Sequence, residues 1–294
     1  MLRFQSFRVD LPLLSLLLCC CLTAESITAT EAVTAVERGE YIFNMAGCAS
    51  CHTNSEEDGE PLAGGVELKT PFGIFYGSNI STDKQYGIGN WSDADFIRAL
   101  KQGISPKGEH YYPAFPYTSF SLMTEQDLLD LKAYLDVQPA VATPSKPHKL
   151  AFPLEQRSLL VFWKWLNFSP QGFVYNKKKP ASWNRGAYIV KGPGHCSQCH
   201  TPRNITGGLD QDLFLAGSEE GLDGDVVPAL RTDLNSDLAQ WQSVDLTFVL
   251  ETGLKPDGDT LERSMAHVVE NSTSHLHEQD LQAIADFLLD VSHP

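Results

Sequence analysis

Apolar positions recur at helical spacing in two stretches far apart in the chain: Leu128, Leu131, Tyr134 and Leu135 in one, Leu281, Ile284, Phe287 and Leu288 in the other. Each stretch opens on Glu-Gln-Asp-Leu, at Glu125 and at Glu278, with Thr124 and His277 at the N-cap position. The pattern predicts two like helices, 125–135 and 278–288, each with one buried face. A third stripe, Val33, Val36, Ile42 and Met45, predicts an earlier helix with Gly39 in its middle, where glycine costs helix stability. A close helix crossing would offset that cost. Tyr134, and Phe287 opposite Gly186, are the side chains expected to pack there.

Two further stretches read differently. Leu11 to Leu22 is a short apolar run behind Arg3 and Arg8 and ahead of Thr23-Ala24, which predicts an export signal over 1–24 and a periplasmic protein. The run is too short to span a bilayer comfortably, and an uncleaved anchor is the alternative. Residues 139–183 are proline-rich at first, then apolar from Leu159 to Phe168 with Trp163 and Trp165, then basic at Lys177-Lys178-Lys179. They read as a connector with a short buried helix wedged between two units. A hydrophobic docking face for another subunit is the alternative.

The two units are a diverged repeat. Arg38-Gly39-Glu40-Tyr41-Ile42 returns as Arg185-Gly186-Ala187-Tyr188-Ile189, Leu62-Ala63-Gly64 as Leu215-Ala216-Gly217, and Trp91 as Trp241. The predicted organisation is a mainly α chain with domains at 30–138 and 184–294, joined by the connector 139–183. Each unit holds Cys-x-x-Cys-His, as Cys48-Ala49-Ser50-Cys51-His52 and Cys196-Ser197-Gln198-Cys199-His200. A disulfide, a thioredoxin-like redox pair or half a zinc site uses the same gap between cysteines, but none requires histidine at the fifth position. Attachment of c-type haem does: two thiols add to the porphyrin's vinyl groups while the next imidazole reaches the iron. Two covalently bound haem c groups are therefore expected, on Cys48 and Cys51 and on Cys196 and Cys199, in two tandem class I-like cytochrome c domains. Three of the seven cysteines, Cys19 to Cys21, lie in the leader, so haem uses the remaining four.

His52 and His200 are the expected proximal ligands. Met123 and Met265 are the expected distal ones, with His110, and His267 or His275, competing. Met45, on the helix before Cys48, reads as core. Aligning the closing helices sets Met123 opposite Leu276, so the two distal loops should differ in conformation. Pro61-Leu62 is the loop expected to offer His52 a carbonyl, and His195 is expected to meet a haem propionate or solvent. Arg203 and Asn204, and with similar standing Asn79 and Trp91, are propionate or surface candidates. The formal net charge of −15 argues against nucleic acid or anionic lipid as partner and suits a cationic redox partner or plain solubility.

The runs RGEYIFNMAGCASCHT, PFGIFYGSNISTDKQYGIGNWSDADFIRALKQG, YYPAFPYTSFSLMTEQDLLDLKAYL and NRGAYIVKGPGHCSQCHTPRN resemble the cytochrome c subunits of membrane-associated bacterial alcohol, gluconate and related sugar or aldehyde dehydrogenases. The resemblance covers nearly all of the chain after the leader. It implies a dihaem cytochrome that takes electrons from a catalytic flavin, pyrroloquinoline quinone or molybdenum subunit and passes them to quinone, a small cytochrome or an oxidase. It carries the ligand set onto Cys48, Cys51, His52 and Met123, and onto Cys196, Cys199, His200 and Met265. Family members commonly add a third haem unit and a C-terminal membrane helix, neither of which precedes Pro294, so a soluble relay is expected, reaching a membrane only through a partner or an uncleaved leader. The alternative is a dihaem enzyme of peroxidase or thiosulfate-oxidising type. A peroxidatic haem needs a position that opens, and a cysteine-ligated one needs a spare cysteine.

Overall fold

The computed structural model describes residues 1–2, 33–234 and 236–291; the predicted export signal lies outside them. The described residues from Thr34 onward form one compact unit. Thr34 opens helix α1 (Ala35–Met45) with a reciprocal capping box to Glu37. The left-handed Gly47 then breaks the chain into a short helix, α2 (Cys48–His52). A hairpin of β1 (Glu67–Thr70) and β2 (Gly73–Tyr76) follows. Helix α3 (Asp93–Gln102) starts on a Ser92–Asp95 capping box and stops at the left-handed Gly103. After α4 (Tyr117–Phe120), the Thr124 hydroxyl caps α5 (Glu125–Leu135).

The connector supplies β3 (Lys149–Leu150), which pairs antiparallel with β2 to give the sheet order β1-β2-β3. It also supplies α6 (Leu159–Asn167). The second half runs through α7 (Ala181–Lys191), α8 (Ser197–His200), α9 (Ser243–Thr252), α10 (Arg263–Asn271) and α11 (Glu278–Leu288). The helices expected at 125–135 and 278–288 are therefore present with their N-caps. The small sheet was not foreseen, because strands of two to four residues are too short to show alternation.

Helix α1 packs on α5, and α7 on α11. At each crossing a glycine lets the backbones touch: a Cβ on Gly39 would run into the Asp130 carbonyl and the Tyr134 Cβ, and one on Gly186 into the Ala283 carbonyl and the Phe287 Cβ. The expected aromatic neighbours are thus in place. One apolar core gathers Ile42, Phe96, Leu100, Phe120, Met123 and Leu128, and another Ile189, Leu215, Leu246, Leu281, Ile284 and Phe287. Met45 is core, as expected, but α1 delivers it to the second of these cores.

The repeated sequence returns as repeated backbone. Leu62 and Leu215 both adopt positive φ, and their amides donate to the hydroxyls of Thr53 and Thr201. Gly64 and Gly217 then donate to the carbonyls of His52 and His200. Helices α3 and α9 both end in left-handed glycine, followed by the bridges Ile104–His110 and Leu254–Thr260.

Helix α6 corrects an expectation in part, since it touches both halves but is not buried. Leu160 and Lys164 are its buried residues, while Leu159, Val161, Phe162, Trp165 and Leu166 point outward, Phe162 at 61% and Trp165 at 76% exposure. Lys164 explains the orientation. Its ammonium reaches the carbonyls of Gln102 (2.6 Å) and Gly103 (2.8 Å) at the C-terminus of α3, where a cation is favoured. Burial pulls its pKa down to about 8. Trp163 donates to the Thr206 carbonyl, seating α6 beside the loop that follows His200. Among the described residues no helix is long and apolar enough to cross a membrane.

Candidate haem-attachment sites

Both histidines of the repeated motif are oriented the same way. His52 Nδ1 lies 2.6 Å from the Ser78 carbonyl oxygen, and His200 Nδ1 lies 2.8 Å from that of Pro228. A carbonyl only accepts, so Nδ1 carries the hydrogen and Nε2 keeps its lone pair. Burial lowers both pKa values, favouring neutral rings, against a smaller opposing effect from these carbonyls. The partner of His52 is therefore Ser78, and not Pro61-Leu62. That corner instead folds back onto the chain after His52, through the Leu62 amide and the Thr53 hydroxyl.

All four thiols are free. Burial pushes Cys48 and Cys196 up to about 12, and Cys51 up to about 11, with the neighbouring Cys199 adding to the rise. These are not the low-pKa thiols of a redox pair, which need an electropositive setting. Nor, among the described residues, do three or more His, Cys, Asp or Glu gather as a metal cluster would require.

Met123 is 1% exposed in the core against which Cys48 packs, and Met265 lies half-buried against the core that Cys196 joins. The competing histidines in the second half are exposed: His275 donates to the Glu270 backbone carbonyl, and His267 Nδ1 lies 3.7 Å from the Glu270 carboxylate. The His110 carbonyl accepts from Arg157, and the His110 ring Nδ1 is buried without a hydrogen-bond partner. As expected, the distal segments differ. Met123 comes three residues after the end of α4, and Met265 sits in the first turn of α10.

The two motif neighbourhoods interlock. His195 Nε2 lies 3.2 Å from the Ala46 carbonyl, so this ring joins the two halves, where a propionate or solvent was expected. Its edge meets Phe120. Gln198 donates to the hydroxyls of Thr118 and Ser119, and Ser272 donates to the Met45 carbonyl. Asn79 is buried and donates to the connector carbonyls of Val141 and Thr143, a structural task. Trp91 packs on the first core, and Arg203 and Asn204 brace the 203–208 loop.

The residues fit covalent haem. Each site offers two free thiols three residues apart and an adjoining imidazole with Nε2 available, and a methionine packs on the same core. Buried hydroxyls of Ser50, inside the first motif, and of Tyr117 have no hydrogen-bond partner within the protein, as polar groups facing a cofactor would.

A model of the cytochrome c family matches residues 36–138. The chain is 43% identical over 254 residues to a protein named diheme cytochrome c-type from Cereibacter sphaeroides, covering 85% of this chain and 84% of that one. It is 38% identical over 265 residues to an alcohol dehydrogenase (quinone) cytochrome c subunit of Gluconacetobacter polyoxogenes, and 37% over 263 residues to a gluconate 2-dehydrogenase cytochrome c subunit of Pantoea cypripedii. Each alignment takes in 86% of this chain, which spans 55% and 58% of those subunits' lengths. With the thiols, imidazoles and family match in agreement, the chain belongs to the cytochrome c family and is an electron-transfer cytochrome, not an enzyme.

Proposed function

We propose that this chain is an exported, periplasmic dihaem relay, with one haem c in each of two tandem cytochrome c domains at 30–138 and 184–294. It accepts electrons from a dehydrogenase catalytic subunit and hands them to a small cytochrome, an oxidase or quinone. The observation that carries this reading is the matched pair of histidine–carbonyl bonds, His52 to Ser78 and His200 to Pro228, each beside two free thiols. Haem iron supplies one-electron redox chemistry when bound. Cys48, Cys51, Cys196 and Cys199 hold the porphyrins, and His52 and His200 present Nε2 to the irons. Met123 and Met265 would supply thioether sulfur, a ligand that raises the potential of haem iron. The Ser78 and Pro228 carbonyls fix each imidazole's tautomer and strengthen it as a donor.

A dehydrogenase partner is supported by the relatives named as dehydrogenase subunits and by the uncharged outward face of α6. A contiguous apolar patch of this kind marks an interaction surface. Its cation is turned inward, which leaves the face unsuited to anionic headgroups.

The test is the mass and the visible and near-infrared spectrum of the oxidised protein. Two added haems and a sulfur-to-iron charge-transfer band that is lost haem by haem in Met123→Ala and Met265→Ala support the relay. A high-spin or bis-histidine haem in the unaltered protein removes the methionine assignment at that site and favours a catalytic haem.

A further inference from the structure

The two halves are joined by hydrogen bonds that repeat under exchange of the halves. Tyr41, three residues after Arg38, donates to Asp280 (2.8 Å) and accepts from the His277 amide (3.1 Å). Tyr188, three residues after Arg185, donates to Asp127 in a short bond and accepts from the Thr124 amide (3.2 Å). Asp127 and Asp280 occupy the same place in Glu-Gln-Asp-Leu, and Thr124 and His277 are the N-caps of α5 and α11. Each opening helix therefore reaches across to the start of the other half's closing helix through one tyrosine hydroxyl. The two motifs also approach each other: His195 Nε2, beside Cys196, lies 3.2 Å from the carbonyl of Ala46, two residues before Cys48. The tyrosine contacts and this motif contact therefore all join the first half to the second.

We infer that Tyr41 and Tyr188 are positioning residues that hold the two haem sites in one register for electron exchange between them. The inference rests on the dihaem reading above. Local detail supports a rigid clamp. The Tyr41 ring stacks on His277 with centroids 4.2 Å apart, and Arg185 donates to both oxygens of Asp280, fixing the acceptor of Tyr41. Around the Tyr188 clamp, Phe173 packs edge-on to the Tyr188 ring. Neither tyrosine lies in a haem motif, and both hydroxyls are spent on the other half. Removing a hydroxyl leaves each core's apolar packing intact and loosens the register alone. A shift of about an ångström between reacting groups costs up to ~100-fold in rate.

The test compares the full-length, haem-loaded protein with Tyr41→Phe, Tyr188→Phe and the double variant. Intramolecular electron equilibration is followed after flash photoreduction, and magnetic coupling between the ferric haems by electron paramagnetic resonance. The expected result is an unchanged haem count and visible spectrum, slower equilibration in each single variant, and a loss of roughly tenfold or more in the double variant with weakened coupling. Asp127→Asn with Asp280→Asn, which keeps an acceptor oxygen for each hydroxyl, should fall between wild type and the double tyrosine variant. Should the double tyrosine variant fail to fold, the asparagine pair carries the same comparison. Equilibration and coupling equal to wild type in the folded variants overturn the inference. A wild-type mass showing fewer than two haems overturns the dihaem reading itself and the inference with it.

Discussion

Glycine 39 and glycine 186 each sit inside a helix, where alanine is normally the better residue by about 1 kcal/mol. Here the sign reverses, because a methyl at either position would collide with the backbone carbonyl of the crossing helix. Gly39→Ala and Gly186→Ala are each expected to lower stability by roughly 1–3 kcal/mol, the usual cost of overpacking. Denaturant melts measure this, and a raised midpoint would show that the helices part without cost. This crossing was legible in the sequence because glycine in a helical stripe is itself a signal, and the facing aromatics stood at the equivalent step of each repeat. The two Cys-x-x-Cys-His motifs stood out in the sequence for the same reason, residue identity carrying the chemistry. The Ser78 and Pro228 carbonyls were not, since any residue supplies a carbonyl and only the folded loop decides which one reaches the imidazole.

Each helix pair is tied by an arginine on the first helix and an aspartate on the second, Arg38 to Asp130 (2.7 Å) and Arg185 to Asp280 (2.6 Å). The Arg38 hydrogen bond holds the Asp130 carboxyl below its usual range. At Asp280 burial pulls upward, but the bonds from Arg185 and Tyr41 outweigh it and the net shift is down. A depressed carboxylate pKa contributes stability that is fully present above the unfolded value of about 3.9 and disappears as pH falls through the folded value. Asp130→Asn and Asp280→Asn are therefore expected to be less stable than wild type at pH 7. Thermal melts between pH 7 and pH 2 should show the difference closing below about pH 4. A gap that stays constant across the range would assign the effect to packing.

Helix α6 shows what periodicity cannot decide at this scale. A run apolar on nearly every side marks a helix but not which side faces in, and Lys164, the one charged position, is one of the two residues that the fold buries. Phe162→Ser with Trp165→Ser is expected to leave haem content and spectrum unchanged and to abolish co-purification with the dehydrogenase subunit. Undiminished association would move the docking site elsewhere. The distal segments were legible only as different from each other. Nothing local in Arg263-Ser264-Met265 separates the first turn of a nine-residue helix from the loop end that holds Met123.

Charge belongs to the molecule as a whole, and its distribution is uneven. The net value is −15, yet residues 139–183 carry seven lysines and arginines against Glu155 alone, so the remaining surface is more acidic than the total suggests. Several of these cations are occupied: Lys146 pairs with Glu57, Lys179 with Asp290, and Lys164 is buried on α3. What a diffusing partner meets over most of the molecule is thus a negative field, which accelerates encounter with a cationic partner and is screened within about 8 Å at physiological salt. Electron exchange with a basic small cytochrome c should slow steeply as ionic strength rises from about 0.01 M to 0.15 M, while exchange with an acidic one should change in the opposite direction. Stopped-flow mixing with both probes measures the pair of slopes. Slopes of the same sign would mean that the connector's local charge governs encounter, and not the acidic remainder of the surface.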